Sequence, residues 1–172
     1  MSRPPKDRYY LNIAKQVNER STCFRNKGGA IIVRDDQIVA TGYVGAPRKT
    51  KSCLERNECL RDKLNIPHGK EYETCRSVHA EQNAIINAAR AGVSLLGGDM
   101  YIYCGGRDDK GVDSFPCFIC KKMIINAGLK RVVCSTKDGE YKIFQVSQWI
   151  DDWQKGDIMD DENKYGADQN EA

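Results

Sequence analysis

The sequence predicts an α/β fold, a three-layer α-β-α sandwich around a mixed five-stranded sheet. Short apolar runs of strand length alternate with stretches of helical periodicity, and most links between them are short, which is typical of such sandwiches. The chain has 172 residues, the length of one domain that buries roughly two-thirds of its unfolded surface. We expect this domain to span residues 1–155 and an acidic, partly disordered tail to follow at 156–172.

The beginning of the chain predicts a helix followed by a β-hairpin. Apolar residues recur at helical spacing over residues 6–20. Two segments of strand length follow, an unbroken apolar run at 30–33 and a second run at 37–43. The turn at Asp35-Asp36 separates them, so we expect the two strands to pair as a hairpin.

The rest of the chain predicts a further alternation of helices and strands, with two irregular regions at 45–74 and 105–115. The helices are expected at 54–64 (short), 77–91, 117–127 and around 149–153, and the strands at 100–104, 131–134 and 142–146. Gly92 and Gly128 would end the second and third of these helices.

Histidine and cysteine residues at metal-ligand spacing stand at the starts of two predicted helices. His79, Cys117 and Cys120 offer one nitrogen and two thiolates, which leaves one tetrahedral position open, as a catalytic zinc requires. Cys117 and Cys120 are three residues apart, so both sulfurs face the same side of a helix. Pro116 suits a position just ahead of that helix, where a missing N–H costs little. The sequence therefore predicts one zinc ion with an open position.

Glu81 distinguishes this site from a zinc that only holds the fold together. Two residues after His79, its carboxylate can lie beside a water on the metal without ligating the metal, and such a water has a pKa of about 7. The carboxylate can then carry protons to a substrate. Structural zinc sites usually have four protein ligands, whereas H-x-E with P-C-x-x-C is a signature of zinc deaminases. We expect Glu81 to be catalytic.

Charge and composition narrow the function classes. Residues 151–172 carry a net charge of −6 and the rest of the chain +9, which suits an anionic substrate but equally describes a solvated basic surface. No apolar run approaches the roughly 18 residues of a membrane span, and no signal peptide is evident at the N-terminus. We expect a soluble cytoplasmic protein in which the eight cysteines serve metal binding rather than disulfides.

With these motifs placed, the chain resembles the cytidine and deoxycytidylate deaminase superfamily, and within it the bacterial deoxycytidylate (dCMP) deaminases and their competence-operon relatives. The similarity covers residues 6–135 and rests on the segments 20–23, 41–47, 75–84, 116–120 and 125–130. It implies hydrolytic deamination of dCMP to dUMP and ammonia. It also implies a homo-oligomer, hexamer or dimer, that is activated by dCTP and inhibited by dTTP.

Two departures from the family pattern keep a second substrate class open. Val44 stands where relatives have an asparagine, and a valine side chain cannot hydrogen-bond. The segment 105–115 is longer than the link that relatives have before the zinc cysteines. The alternative is a zinc deaminase that acts on another nucleotide, a nucleoside or a free base.

Four further cysteines are matched in the relatives that the chain resembles: Cys23, Cys53, Cys59 and Cys75. They could close a tetrahedral, structural second zinc site that holds the irregular region after Val44. Some relatives use a histidine or carboxylate there, which makes His68, between Pro67 and Gly69, a substitute ligand; the alternative is an ordinary exposed loop histidine. The alternative is a set of buried free thiols with one pair in contact.

The sequence signals for residues that contact the nucleotide are less specific than the motif for the metal ligands. Asn83, about one turn after Glu81, is expected to orient substrate or the neighbouring loop, and Ser21 and Arg25 are candidates for a phosphate. Tyr141 is a candidate for stacking on the base. The resemblance places Arg90 at an allosteric or subunit contact. Each of these residues also fits an ordinary surface role.

A different class of function is a non-catalytic, zinc-stabilised nucleic-acid-binding module. The basic body favours it, but such a module would not need an acid beside an open metal position, and the chain lacks the interleaved aromatic and basic residues of a base-stacking platform.

Overall fold

The computed structural model describes residues 3–106, 108 and 110–156. Its helices are α1 (Lys6–Asn18), α2 (Cys53–Arg56), α3 (Leu60–Lys63), α4 (Ala80–Ala91), α5 (Phe118–Asn126) and α6 (Val146–Gly156), with a single 3₁₀ turn at Tyr72–Thr74. Its strands are β1 (Lys27–Arg34), β2 (Gln37–Tyr43), β3 (Asp99–Gly105), β4 (Arg131–Ser135) and β5 (Tyr141–Gln145).

The five strands form one mixed sheet in the order β2-β1-β3-β4-β5. Strand β1 is antiparallel to both β2 and β3, β3 is parallel to β4, and β4 is antiparallel to β5. The parallel pair is joined through α5, the helix that a crossover connection requires. The predicted mixed five-stranded sheet is confirmed.

The sheet separates two apolar clusters, one on each face. Helix α1 covers one face, where Leu11 and Ala14 pack with Ile31 and Tyr101. Helices α4, α5 and α6 cover the other face, where their buried side chains pack with alternate residues of the same strands: Ala80, Ala84, Ala88, Ile124 and Trp149 from the helices, and Ile32, Met100, Ile102 and Val132 from the strands. Because successive strand residues point to opposite faces, both faces are buried, and the three-layer prediction is confirmed.

The prediction of one short helix at 54–64 is wrong. The chain forms two short helices there, because Asn57 adopts a left-handed conformation with φ 48° and ends α2. Ser52 and Glu55 form a capping box at the start of α2, with the Ser52 N–H donating to Glu55 Oε2 at 2.8 Å.

Of the predicted acidic tail, residues 157–172 lie outside the described part of the chain, so the division into a domain and a tail stays a prediction. No helix among the described residues has the length and apolar character to cross a membrane.

Candidate active site

The three predicted metal ligands meet where the N-termini of α4 and α5 approach each other. His79 has an extended backbone and immediately precedes α4, and its N–H donates to Gln82 Oε1 at 3.3 Å. Cys117 immediately precedes α5 in the same way, and Cys120 lies in its first turn. The His79 Nδ1 atom lies 3.5 Å from Cys117 Sγ and 3.4 Å from Cys120 Sγ. All three ligand atoms lie within 4.8 Å of one another.

These distances fit a tetrahedral zinc ion. Zinc lies about 2.0–2.1 Å from a histidine nitrogen and about 2.3 Å from a thiolate, so two such ligands around one tetrahedral ion are about 3.6 Å apart. The observed nitrogen–sulfur separations of 3.5 and 3.4 Å are close to this value. One nitrogen and two sulfurs leave a fourth position for water or substrate, and zinc is the cofactor of this domain.

The two cysteines differ in electrostatic environment. The pKa of the Cys117 thiol is lowered to about 4, chiefly because the Cys120 thiol donates a hydrogen bond to its sulfur, and next because His79 does so. The same contact raises the pKa of Cys120, which is fully buried. The contact between the two cysteines thus favours ionisation of Cys117, and a bound dication would favour loss of the proton from Cys120 as well.

Glu81 brings a carboxyl group to the same cluster from the first turn of α4. It is only 7% exposed, and its carboxyl group lies close enough to the Cys120 thiol for each group to change the pKa of the other. Burial raises the pKa of Glu81, with the nearby Cys117 charge acting in the same direction and His79 opposing it. A raised pKa favours the protonated form, which suits a group that must accept a proton and release it again as a general acid and base.

Tyr72 and Arg61 also reach this site, and sequence reasoning missed both. The Tyr72 ring meets the His79 ring edge-on, with centroids 5.0 Å apart, and the Arg61 guanidinium lies 5.2 Å from the Tyr72 centroid. Arg61 is buried and donates to the backbone oxygens of Pro67, at 2.7 Å, and Lys70. Burial raises the pKa of Tyr72 to about 12, so its hydroxyl stays a hydrogen-bond donor. Neither residue belongs to a spacing pattern that could have revealed it.

Near the metal centre, Asn83 and Val44 make hydrogen bonds and packing contacts that hold β2, β1 and α4 together. The Asn83 side chain donates to Tyr43 O at 2.8 Å and so fixes the end of β2 to α4. The Val44 N–H donates to Gly28 O at 2.9 Å, and its side chain packs on the cluster between the sheet and α4. Asn83 thus orients the neighbouring loop, and a contact between Asn83 and substrate stays a prediction.

The other candidate nucleotide residues make contacts within the chain, and the roles of Ser21 and Arg25 toward a phosphate stay predictions. The Ser21 hydroxyl is buried in a pair of 2.9 Å hydrogen bonds with the Gly28 backbone. Arg25 donates to Ile66 O at 2.8 Å and lies 3.5 Å from Asp62. Tyr141 packs on the α1 face of the sheet, beneath the guanidinium of Arg8, whereas the metal ligands lie with α4 and α5. The structure therefore does not bring Tyr141 to the zinc site.

Arg90 is exposed in the last turn of α4, a position that is open to a partner or effector. Its allosteric or interface role stays a prediction.

The four remaining candidate ligands lie near one another but are not in ligand geometry. The pKa of Cys53 is raised by burial first, and then by its neighbours Cys23, Cys59 and Cys75. No three of these four sulfurs, all in the described part of the chain, lie within 4.8 Å of one another. The second zinc site stays a prediction.

Comparisons with known proteins agree with this geometry. The chain is 36% identical to the deoxycytidylate deaminase of Schizosaccharomyces pombe over 134 residues, which cover 78% of this chain and 38% of that protein. It is 36% identical to the deoxycytidylate deaminase of Mycobacterium phage D29 over 138 residues, which cover 77% of this chain and 96% of that protein. The chain thus spans well under half of its S. pombe relative and almost all of its phage relative.

A solved structure supports the same assignment. The crystal structure of dCMP deaminase from the cyanophage S-TIM5 in complex with dCMP and dUMP superposes with a TM-score of 0.54 at 27% sequence identity, covering 77% of this chain and 82% of that one. The family model for the cytidine and deoxycytidylate deaminase zinc-binding region matches residues 4–136, which include all three metal ligands and Glu81. The chain belongs to the cytidine and deoxycytidylate deaminase family.

Proposed function

We propose that the protein catalyses the hydrolytic deamination of dCMP to dUMP and ammonia, with Glu81 as the proton shuttle. One observation carries the catalytic part of this proposal: a buried carboxyl group lies near a histidine and two cysteines that leave one metal position open. The substrate is supported by the identity with deoxycytidylate deaminases from yeast and phage.

Metal binding and proton transfer fall to different residues of the site. His79, Cys117 and Cys120 would hold the zinc ion, which supplies a nucleophilic hydroxide at neutral pH because it lowers the pKa of water to about 7. As the water oxygen bonds to the amine-bearing carbon of dCMP, Glu81 accepts the proton that the water loses and delivers it to the adjacent ring nitrogen. Glu81 then takes the proton of the added hydroxyl and gives it to the amine. The bond between carbon and the amine breaks, so that water and dCMP become dUMP and ammonia. Burial of Glu81 favours its protonated form between these transfers.

The test is ammonia release from a panel of dCMP, dCTP, cytidine, cytosine and purine nucleotides. We expect dCMP to be the preferred substrate. Glu81→Gln keeps the side-chain shape but cannot shuttle protons, so activity should fall by about a thousandfold while zinc stays bound. The exposed Glu73 provides the matched control, and Glu73→Gln should keep full activity. An active Glu81→Gln enzyme would overturn the mechanism.

A second candidate is a zinc deaminase for another nucleotide, a nucleoside or a base. Val44 favours it, since the side chain packs against apolar neighbours and offers no hydrogen bond to a sugar or phosphate. Ammonia release from cytidine, cytosine or a purine, without release from dCMP, would establish this alternative.

We also propose a structural zinc at Cys23, Cys53, Cys59 and Cys75. Burial of Cys53 near the other three thiols supports it. The expected result is two zinc ions per purified chain, and one fewer in Cys59→Ser. A single zinc in the parent protein would remove the second site.

We further infer a homo-oligomer, hexamer or dimer, whose activity responds to dCTP and dTTP, with Arg90 near the effector or subunit contact. A cytoplasmic location agrees with thiols that ligate metal in a reducing compartment. Light scattering gives the subunit number, and dCMP saturation curves with and without dCTP and dTTP test regulation. Loss of the effector response in Arg90→Gln, with unchanged basal activity, is the expected result.

A further inference from the structure

A cavity of about 210 Å³ lies on the α1 face of the sheet, opposite the metal centre. Tyr103 of β3 and Ser135 of β4 form its floor. Helix α1 and the turn at residues 136–139 form its walls. None of these residues has a role in the proposed deamination.

The charged side chains that line this cavity are all cationic: Arg8, Lys15 and Lys137. Among the described residues, no aspartate or glutamate lines it. Arg8 is partly neutralised, because it lies 3.0 Å from Glu140, and it also donates to Gly139 O at 2.7 Å. The Lys15 ammonium lies 5.6 Å from the centroid of the Tyr103 ring. Over the part of the chain that the structure describes, neither Lys15 nor Lys137 forms an ion pair.

We propose that this cavity binds a phosphate group, as free inorganic phosphate or as the phosphoryl end of a small metabolite. Lys15 and Lys137 form no ion pair among the described residues, although Asp138 interacts electrostatically with Lys137. With Arg8 they give the cavity an excess of positive charge that favours a dianion, and the Asn12 amide and Tyr103 hydroxyl can donate hydrogen bonds to it. The volume is below the roughly 300–1,000 Å³ of common ligand pockets, so the ligand must be compact. A whole nucleotide would not be enclosed.

The cavity is connected to the segment that presents the zinc ligand Cys117. The Ser135 hydroxyl lies 2.7 Å from the Ser114 hydroxyl, and Ser114 N donates to Ser135 O at 2.9 Å. The Ser114 hydroxyl also accepts from the Cys104 N–H at 2.8 Å. Ser114 precedes Cys117 by three residues, so an anion that draws α1 toward the 136–139 turn would act on the approach to the metal centre. This connection, unlike the binding site itself, rests on the function proposed for the zinc site.

The binding site is tested by titration calorimetry of the full zinc-loaded chain with inorganic phosphate and, separately, with ribose 5-phosphate, at constant ionic strength. We expect saturable binding, weakened by about tenfold or more in the Lys15→Gln, Lys137→Gln double variant. The matched control is Lys70→Gln, Lys130→Gln, which removes the same charge from exposed positions outside the cavity and should bind as the parent does. If ribose 5-phosphate binds more tightly than inorganic phosphate, the ligand is a phosphorylated metabolite. If inorganic phosphate binds more tightly, the ligand is the free ion.

Absence of saturable binding would overturn the site, and so would equal weakening in both double variants, since that is the behaviour of non-specific charge attraction. Unchanged binding in the Lys15→Gln, Lys137→Gln variant would place the phosphate elsewhere, for example at the metal centre.

The connection is tested on protein that carries Co²⁺ in place of zinc, whose visible absorption reports the geometry of the thiolate ligands. Phosphate should shift this absorption in the parent and in the control variant, and not in the Lys15→Gln, Lys137→Gln variant. Binding at the cavity without any spectral shift would overturn the connection. This measurement needs no substrate, so its failure is distinguishable from an absence of dCMP deamination.

Discussion

Gly42 of β2 packs directly against the backbone of α4 at Ala84. A Cβ atom added to Gly42 would lie 2.2 Å from Ala84 N and 2.3 Å from Ala80 O, distances at which backbone atoms overlap. Since Ala80 lies between His79 and Glu81 in the chain, this close approach also sets the position of the metal ligand and of the proton shuttle relative to the sheet.

Gly42→Ala should therefore damage both the fold and the metal centre. Overpacking of a core usually costs about 1–3 kcal/mol, and here neither neighbour is a flexible side-chain end, so we expect about 3 kcal/mol or more. Urea denaturation of the zinc-loaded protein measures the loss, and chelator competition should show weaker zinc binding. Gly156→Ala is the control, because no atom of the residues that the structure describes lies within 4 Å of its Cβ position and its φ is not in the left-handed region. Similar unfolding free energies for the two variants would contradict this packing account.

The metal centre could be predicted from the sequence because each half of it is a local pattern. His79 and Glu81 share one helix start, and Cys117 and Cys120 share another, so their spacing alone places each pair on one side of a helix. The strands were predictable for a similar reason, since apolar runs bounded by glycine or charge recur at the observed positions.

The position of Tyr141 relative to the site could not be predicted in this way. Strand β5 alternates, so Tyr141 faces α1, whereas the next aromatic residue, Phe144, packs on the side of α4, α5 and α6. Which of two alternating sets faces a given layer depends on the pairing of β5 with β4, and both sets contain aromatic residues. The sequence of β5 does not decide between them.

Tyr72 and Arg61 were missed because the region between β2 and α4 has little apolar periodicity. Its conformation depends on single contacts, such as the Arg61 hydrogen bonds to Pro67 O and Lys70 O and the left-handed Asn57. Hydrophobic periodicity does not predict which residues form such contacts.

Removal of one zinc ligand should lower the zinc content of the protein more than it lowers the free energy of unfolding. Cys120→Ser replaces a soft thiolate by a poor zinc ligand, and we expect the purified variant to carry one zinc ion fewer than the parent. Cys134, fully buried in β4 and outside the metal cluster, provides the control. Cys134→Ser should keep its zinc and lose about 1–2 kcal/mol of stability from a buried hydroxyl. Metal analysis and urea denaturation separate the two effects, and a full zinc content in Cys120→Ser would rule it out as a ligand.

Arg131 joins α1 to the beginnings of β3 and β4. Its guanidinium lies 2.9 Å from Asp7 Oδ1 and 2.7 Å from Asp99 Oδ2, and it is about one-quarter exposed. Arg131→Leu would leave two carboxylates without their cation, and since removal of one partner from a fully buried pair costs about 3–5 kcal/mol, we expect about 2 kcal/mol at this partly exposed site. Asp7→Asn, Arg131→Leu should lose less than the sum of the two single variants. Additive losses in urea denaturation would show that the pair does not act as a unit.

Tyr10 should give the protein a stability contribution that disappears in alkali. Its hydroxyl donates to Asp36 Oδ1 at 2.7 Å, and burial, followed by this hydrogen bond, raises the pKa of the phenol to about 12. The unfolded chain titrates near its ordinary pKa of about 10. Because the folded state favours the neutral phenol, the contribution is complete below about pH 10 and is lost as the pH rises toward 12.

Tyr10→Phe should accordingly lower the unfolding free energy by about 1–2 kcal/mol at pH 8. That difference from the parent protein should shrink between pH 10 and pH 11, because ionisation of the Tyr10 phenol in this interval stabilises the unfolded parent and cannot occur in the variant. The exposed neighbour Tyr9 is the control, since Tyr9→Phe removes a hydroxyl of the same type that makes no such bond to Asp36. Urea midpoints at pH 8, 9, 10 and 11 measure both variants. A Tyr10→Phe deficit that stays constant to pH 11 would mean that folding does not raise the pKa of Tyr10, and that the contribution of its hydroxyl is independent of ionisation.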